Sequence, residues 1–313
     1  MTTTQTGVFV LAYGTPEKPE DIEPYYTHIR NGRPPTPELL ADLQERYRLV
    51  GGRTPLLDIS ASVADQLQTR LDADAPGRYR VYLGMKHWHP YIGDVVPRMV
   101  ADGIEDVVAV VLAPHYSRYS LEGYRKYINK ALEQVEQPFR LTFIESWHTH
   151  PRFLELTAAR IRGGVARFPL EDQNDVTVLF SAHSLPEKIV AMGDPYPQFL
   201  HESAAAVAKL LGLADWRFCF QSAGNTGEPW LGPDILDYLD ELHAEGKQNV
   251  LSVPFGFVAD HLEVLWDIDT EAQDRAGEHG MTLQRIRMPN ADAEFVDVIE
   301  AVVREADAAR QGA

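Results

Sequence analysis

A histidine at the end of a buried strand and a line of carboxylates spaced by four are the residues of this chain best suited to chemistry. His183 sits where the apolar run VTVLF at 176–180 breaks into Ser181-Ala182-His183-Ser184. A strand buried on both faces reads as such a run. Pro186 then bars further pairing and suits the start of a helix. Open α/β sheets bind ligands at the carboxyl ends of their strands, so this edge receives an imidazole. A loop histidine bonded to backbone is the plainer reading. The second feature is VADHLEVLWDIDTEAQ at 258–273, where Glu263, Asp267 and Glu271 recur every four residues. On an α-helix they share one face and repel each other by about 0.2–0.5 kcal/mol per pair. A solvated acidic face is the ordinary reason for such a stripe. Yet no lysine or arginine lies between Lys247 and Arg275, and Leu262, Val264, Leu265 and Trp266 surround the acids. Carboxylates lined along an apolar helix suit a divalent cation or a proton path.

Other chemistries lack their signatures. The spacing is not HExxH, and neither a Walker A sequence nor GxGxxG occurs. The turn Gly224-Asn225-Thr226-Gly227 lacks the P-loop lysine, and neither Ser181 nor Ser184 lies in a GxSxG elbow. Cys219 is the one cysteine, set in the apolar stretch 216–220, and reads as a buried small hydrophobe. One cysteine excludes an internal disulfide, a CxxC pair and a cysteine-ligated iron–sulfur cluster. A metal here would fall to His, Asp, Glu or Tyr.

The elements that must position these residues are strands alternating with helices. Strand-like runs fall at 8–11, 79–83, 107–112, 141–144, 176–180, 218–220 and 250–253. Thr36 before Pro37 caps a helix that Gly51-Gly52 ends. The pattern predicts an α/β protein with mainly parallel sheets flanked by helices. The chain also resembles itself. VFVLAYGTPEK at 8–18 parallels VTVLFSAHSLPEK at 176–188, and the stretch 107–124 parallels 250–267. Two similar lobes follow, with Tyr13 and His183 in matching places facing a cleft between them.

Composition bounds the partners. With 29 Lys and Arg against 46 Asp and Glu, the net charge is −17, which argues against nucleic-acid binding and against docking on an anionic membrane. No apolar run is long enough to span a bilayer, and Met1 to Thr6 does not read as a secretory signal. A cytoplasmic location is expected, with looseness confined, at most, to the first few residues and to the tail from Ala308 to Ala313. Arg30, Arg33, Arg46, Arg48, Arg53 and Lys86 nevertheless make the first third locally basic. They are an anion-binding cleft or ordinary surface cations. Tyrosines crowd the same region, among them Tyr13, Tyr47, Tyr116 and Tyr124. Their rings suit the walls of a flat apolar ligand. With the arginines, the implied ligand is flat, apolar and carboxylated.

Longer motifs then carry a family resemblance. SAHSLPEK, GDPYPQ with the following HESA, FQSAGNTGEPWLGPD and VPFGFVADHLEVLWDID resemble ferrochelatase. LAYGTPEKPEDIEPYYTHIRNGRPP and ERYRLVGGRTPL resemble the soluble coproporphyrin ferrochelatases in particular. The similarity runs from about Val8 to about Pro289.

The resemblance implies an enzyme that inserts ferrous iron into coproporphyrin III, giving iron coproporphyrin III in haem biosynthesis. It implies two Rossmann-like lobes, each a four-stranded mainly parallel sheet flanked by helices, around a porphyrin cleft. The expected division is residues 1–148 with a C-terminal helix at 292–313, against residues 149–291. His183 and Glu263 match the family's histidine and glutamate that face each other at the porphyrin, as catalytic residues and as ligands for incoming iron. Tyr13 matches the residue that contacts the metal from the other side. Arg30, Arg46, Tyr47, Thr54 and Tyr124 fall at porphyrin and propionate contacts. Thr54 stands where relatives often carry serine. Iron is a substrate, and neither an organic cofactor nor an iron–sulfur cluster is expected. A monomer is expected, with transient contact to neighbouring haem-pathway enzymes.

Chemistry assigns roles within that frame. Two pyrrole protons must leave before iron can enter, and a neutral imidazole near pH 7 is the natural acceptor. His183 takes those protons or holds the iron, Glu263 assists, and Asp267 and Glu271 extend the route for iron or protons. Three alternatives compete: a protoporphyrin IX ferrochelatase or other tetrapyrrole chelatase, a non-catalytic haem or porphyrin carrier with Tyr13 as axial ligand, and a metal-dependent hydrolase. The paired His183 and Glu263 favour the enzyme over the carrier, and no nucleophile motif supports the hydrolase.

Overall fold

A computed structural model of the chain describes residues 5–224 and 226–312. Met1 to Thr4, Asn225 and Ala313 lie outside them, and with them the leader reading, one residue of the glycine turn and the last tail position. Eight strands form two sheets. The first holds β1 (Thr6–Ala12), β2 (Tyr79–Met85), β3 (Asp106–Val111) and β4 (Arg140–Ile144) in the order β2-β1-β3-β4. The second holds β5 (Thr177–His183), β6 (Trp216–Gln221), β7 (Asn249–Val253) and β8 (Thr282–Arg285) in the order β6-β5-β7-β8. Every neighbouring pair is parallel. The two orders are the same pattern repeated, so the internal echo is structural: β1 and β5 hold equivalent places, as do β3 and β7.

Helices cover both faces of each sheet, which is why the strands read as nearly unbroken apolar runs. Val8, Val10, Val108 and Val110 share one continuous core with Val178, Phe180, Leu251 and Val253, joined through Phe153, Ile161, Phe295 and Ile299. The opposite faces close separate clusters, one around Phe9, Leu11 and Ile128, the other around Leu179, Leu239 and Ile268. Cys219 is fully buried in the last of these. The Pro37–Leu49 helix begins as expected, with Thr36 Oγ1 accepting from Leu39 N at 3.4 Å, and Gly51 and Gly52 end it at φ 100° and 88°. Among the described residues no helix is long and apolar enough to cross a membrane.

Two expectations needed correction. The eighth strand, TLQR, carries too little apolar character to read as a strand; it pairs at the sheet edge with β7. Pro186 does not open a long helix: it bridges to Trp230, and only the four-residue helix Lys188–Ala191 follows. The Ala293–Gln311 helix continues past Ala308, so among the described residues the tail is helical almost to its end, within the bound expected for looseness.

That helix packs on β3, β4, the Leu56–Asp74 helix and the Pro151–Val165 helix. Its buried Asp307 accepts hydrogen bonds from Tyr79 Oη at 2.8 Å, Arg78 Nη2 at 2.7 Å, Arg310 Nη2 at 2.7 Å and Gln311 Nε2 at 2.8 Å. Burial pushes this carboxyl up, and the bonds from Arg310, Tyr79 and Arg78 outweigh it, so it ionises below the usual carboxylate range. Asp307→Ala should cost about 2 kcal/mol, since it strands these donors, and lower the melting temperature by several degrees. Because the folded carboxyl ionises at lower pH than the unfolded one, the contribution is present above the ordinary aspartate range and is lost as pH falls. Thermal unfolding of both proteins at pH 7 and pH 3 reads this out: the difference should shrink at the lower pH.

Candidate active site

β5 carries His183 to the carboxyl edge of the second sheet, beside the switch point where β6 and β7 leave β5 on opposite sides. Its surroundings are tied down from several elements. Ser181 Oγ donates to Gln221 Oε1 at 2.8 Å, Ser184 N to Gln221 O at 2.7 Å, and Tyr196 Oη to His183 O at 3.0 Å. The chain after β7 presses on this strand at Gly256, where a Cβ would stand 2.6 Å from that of Ala182. His183 Nδ1 donates to the Ser184 carbonyl, which orients the ring and leaves Nε2 at 3.4 Å from Glu263 Oε1. Glu263 Oε2 lies 3.6 Å from His261 Nε2. Trp230 and Phe257 flank the imidazole with ring centroids 6.4 Å away.

The pair sits deep but keeps about a third of each side chain, 31% and 35%, open to the cleft. Burial pushes the imidazole down; the charge and hydrogen bond of Glu263, the Ser184 carbonyl and the charge of Asp267 more than reverse this and raise it to about 9. Burial pushes Glu263 up, but His183 and then His261 hold it well below the usual carboxylate range. At pH 7 the resting pair is therefore imidazolium and carboxylate. An isolated histidine in the sequence reveals nothing of the anion folded against it, which here favours the charged ring over the neutral imidazole expected from the sequence.

The acidic line lies on a π-helix, Val264–Ala272, rather than the expected α-helix. Thr270 Oγ1 donates to the Leu265 carbonyl five residues back at 3.0 Å, consistent with the wider i to i+5 turn. Asp267 is buried at 6% exposure and accepts from Ser222 Oγ. Burial, then the charge of Glu263, raises its carboxyl to about 7 against the opposing Ser222 bond. Glu271 follows four residues on, half-buried.

Tyr13 occupies the equivalent edge of the first lobe, just past β1. Gly14 follows at φ 100°, with no room for a Cβ, which would meet Trp88 N at 2.8 Å. The Tyr13 ring lies 4.6 Å from that of His87 and 5.7 Å from Lys86 Nζ, and Lys86 also caps the Tyr124 ring at 5.0 Å. Tyr13 keeps 40% of its surface open to the cleft, and the desolvation of its hydroxyl deeper in, then the charge of Glu263, push that hydroxyl above its usual range, so it stays a neutral phenol.

The ferrochelatase family model matches residues 5–307. The chain belongs to the ferrochelatase family. It is 54% identical to a ferrochelatase of Herpetosiphon aurantiacus over 299 residues, covering 96% of this chain and 98% of that one. It is 43% identical to a coproporphyrin III ferrochelatase of Bacillus subtilis over 307 residues, covering 97% and 98%. The solved structure of SirB from Bacillus subtilis with Fe3+ superposes with a TM-score of 0.61 at 11% identity, covering 98% of each chain, and shares the fold. Ferrochelatases are enzymes that put iron into a porphyrin, so ferrous iron enters as substrate.

In this ferrochelatase the remaining residues expected at the porphyrin do not all line open space. Tyr47 and Thr54 are each 2% exposed, and their hydroxyls meet Thr15 Oγ1 at 3.2 Å and 2.8 Å. Tyr124 is buried at 5% under Lys86. Arg46 reaches across the lobes, its guanidinium 5.6 Å over the Trp266 ring, while Arg30 lies 5.7 Å over Tyr26. Among the described residues no three His, Cys, Asp or Glu side chains converge as a metal cage. The sequence gives no role to His28, His87 or Ser222, whereas the stretch His261-Leu262-Glu263 is expected to face the cleft. His28 Nδ1 and His87 Nδ1 are 3.0 Å apart beside Tyr13. Burial first, then the charges of Lys86 and His28, pushes His87 down to about 3. The cluster KHWHP directly after β2 was the available signal, since it too ends a buried strand.

Proposed function

We propose that this ferrochelatase acts on coproporphyrin III, inserting ferrous iron to give iron coproporphyrin III for haem synthesis. The 43% identity over nearly the full length of a coproporphyrin III ferrochelatase supports that substrate. The observation that carries the site assignment is the His183–Glu263 pair at 3.4 Å at the carboxyl edge of the second sheet. Residues 1–148 with the helix at 292–313 form the porphyrin lobe in this reading, and residues 149–291 the His183–Glu263 lobe. Arg30 and Arg46 meet propionates, Tyr124 lies against the ring, and Tyr47 and Thr54 shape the loop behind Tyr13. Tyr13 contacts the porphyrin metal as a neutral phenol.

Insertion exchanges two pyrrole N–H protons for one Fe2+, and both protons must reach solvent. His183 starts as an imidazolium, so it cannot take a pyrrole proton until its own has left. Iron approaching Glu263 and His183 displaces that proton, and Asp267, ionising at about 7, stands ready to receive it. With the iron held by Glu263 and Nε2 left free, the imidazole accepts the two pyrrole protons one at a time, each passing outward by Asp267 before the next arrives. Glu271 continues the route outward.

Anaerobic mixing with ferrous iron and either coproporphyrin III or protoporphyrin IX, followed by absorption, tests this. Faster metallation of coproporphyrin supports the proposal; preference for protoporphyrin overturns the substrate, and tight binding without metallation would make the protein a carrier. Asp267→Asn with Glu271→Gln should raise the KM for iron several-fold more than that for porphyrin and erase the rate dependence centred near pH 7. Equal iron KM values in the two proteins would leave the acidic line without a role. The protein is further proposed to work as a cytoplasmic monomer, without an iron–sulfur cluster, meeting neighbouring haem-pathway enzymes transiently. Its one cysteine, buried Cys219, supports the absence of a cluster, and sedimentation tests the monomer.

A further inference from the structure

The acidic segment has no cation of its own from Lys247 to Arg275, yet it holds Asp260, Glu263, Asp267, Asp269 and Glu271 within twelve residues. The compensating charge comes from the edge strand behind it. Arg285, the last residue of β8, donates from Nε to Asp269 Oδ1 and from Nη2 to Asp269 Oδ2, both at 2.7 Å. The same Nη2 lies 3.1 Å from Asp260 Oδ1. Its side chain is 15% exposed. Asp260 is further clasped by Asn290, which accepts from Asp260 N at 2.8 Å and donates to Asp260 Oδ2 at 2.7 Å. Asn290 holds this double contact from a left-handed conformation at φ 51°, which asparagine tolerates.

These contacts bracket the site. Asp260 lies three residues before Glu263, and Asp269 lies two after Asp267. One guanidinium thus spans the turn that presents Glu263 to His183 and the π-helix that presents Asp267 to Ser222. A π-helix is rare and needs support from outside its own ladder. The bidentate fork fixes angle as well as distance, which a point charge does not.

We propose that Arg285 is a positioning residue for iron delivery: its fork on Asp269 and its contact with Asp260 hold the acidic segment in register against His183. Arg285 does not touch porphyrin or iron. The inference rests on the proposed roles of Glu263 and Asp267 and extends them to a residue on the outer side of the helix.

The test compares wild type, Arg285→Lys, Arg285→Met and Asp269→Asn in steady-state metallation, with porphyrin affinity measured separately by fluorescence quenching. Arg285→Met should raise the KM for ferrous iron about tenfold or more and leave porphyrin affinity within about twofold, and Arg285→Lys should restore part of the loss because it returns charge without the fork. Asp269→Asn should shift iron KM in the same direction, and serves if Arg285→Met does not fold. A role in stability alone would lower the amount of active enzyme and the melting temperature with both substrate constants unchanged, and that result overturns the proposal. So does a parallel loss of iron and porphyrin affinity. If wild type fails to metallate coproporphyrin, the functional reading itself falls; if wild type works and the Arg285 variants match it, only this inference falls.

Discussion

His183→Ala should lower kcat for iron insertion about a thousandfold, within the range spanned by removal of a general acid–base group, while the porphyrin still binds. The ring has one free edge, Nε2, because Nδ1 is committed to the Ser184 carbonyl. That edge meets Glu263 and the cleft, and no second imidazole replaces it: His261 sits on the far oxygen of Glu263 at 3.6 Å. Removing the ring also removes the cation that holds Glu263 ionised, so the buried carboxyl of the variant should titrate upward. Stopped-flow absorption gives the rate and fluorescence quenching the affinity. A variant that inserts iron at near the wild-type rate would remove His183 from the chemistry.

Glu263→Gln should be the second large effect, and its mechanism is different. The amide keeps the shape and loses the charge. Burial then acts on His183 unopposed by its main partner, and the imidazole should fall from about 9 toward or below its ordinary value. At pH 7 the ring becomes neutral in the variant, which removes the charged resting pair and the attraction for a divalent cation together. Insertion should drop at least a hundredfold. The stability consequence has a definite sign. A raised imidazole contributes stability that is fully present below its unfolded value near 6.5 and is lost as pH rises through about 9. Wild type should therefore lose stability across that window and Glu263→Gln should not. NMR titration of the His183 ring and thermal unfolding from pH 6 to pH 10 read both. An imidazole still charged at pH 8 in the variant would show that Glu263 is not what raises it.

The strands were legible because both faces of each sheet are covered, so burial writes an unbroken apolar run into the chain. TLQR escaped notice because an edge strand with one open side needs no such run. The acidic helix was legible as a charge pattern, but its π geometry was not. A four-residue spacing is common to both helices, and the Thr270 bond that accompanies the wider turn is a matter of side-chain placement. The sequence marks His183 and Glu263 as candidates, but their charge state is not legible in it, since that depends on a 3.4 Å contact between residues eighty apart in the chain. Arg285 was hidden as the missing cation because it lies sixteen residues beyond Asp269, on a different element. Tyr47 and Thr54 are expected at the porphyrin, yet the hydroxyl contacts through Thr15 that tie them together join three separate segments and are not legible in the sequence.

The Ala293–Gln311 helix sets the order in which this protein can be finished. It covers β3 and β4, whose last residue is Ile144, with Phe295, Val296, Ile299 and Val303. At ribosomal speeds of about 5–20 residues per second, some ten to thirty seconds separate the emergence of that sheet from the emergence of its cover. Throughout that interval the nascent first lobe exposes an apolar face beside parallel strands, an arrangement prone to wrong pairing. Newly made chains should therefore depend on chaperone shielding until residues 293–311 leave the ribosome, and the second lobe will have had time to fold before the first is sealed.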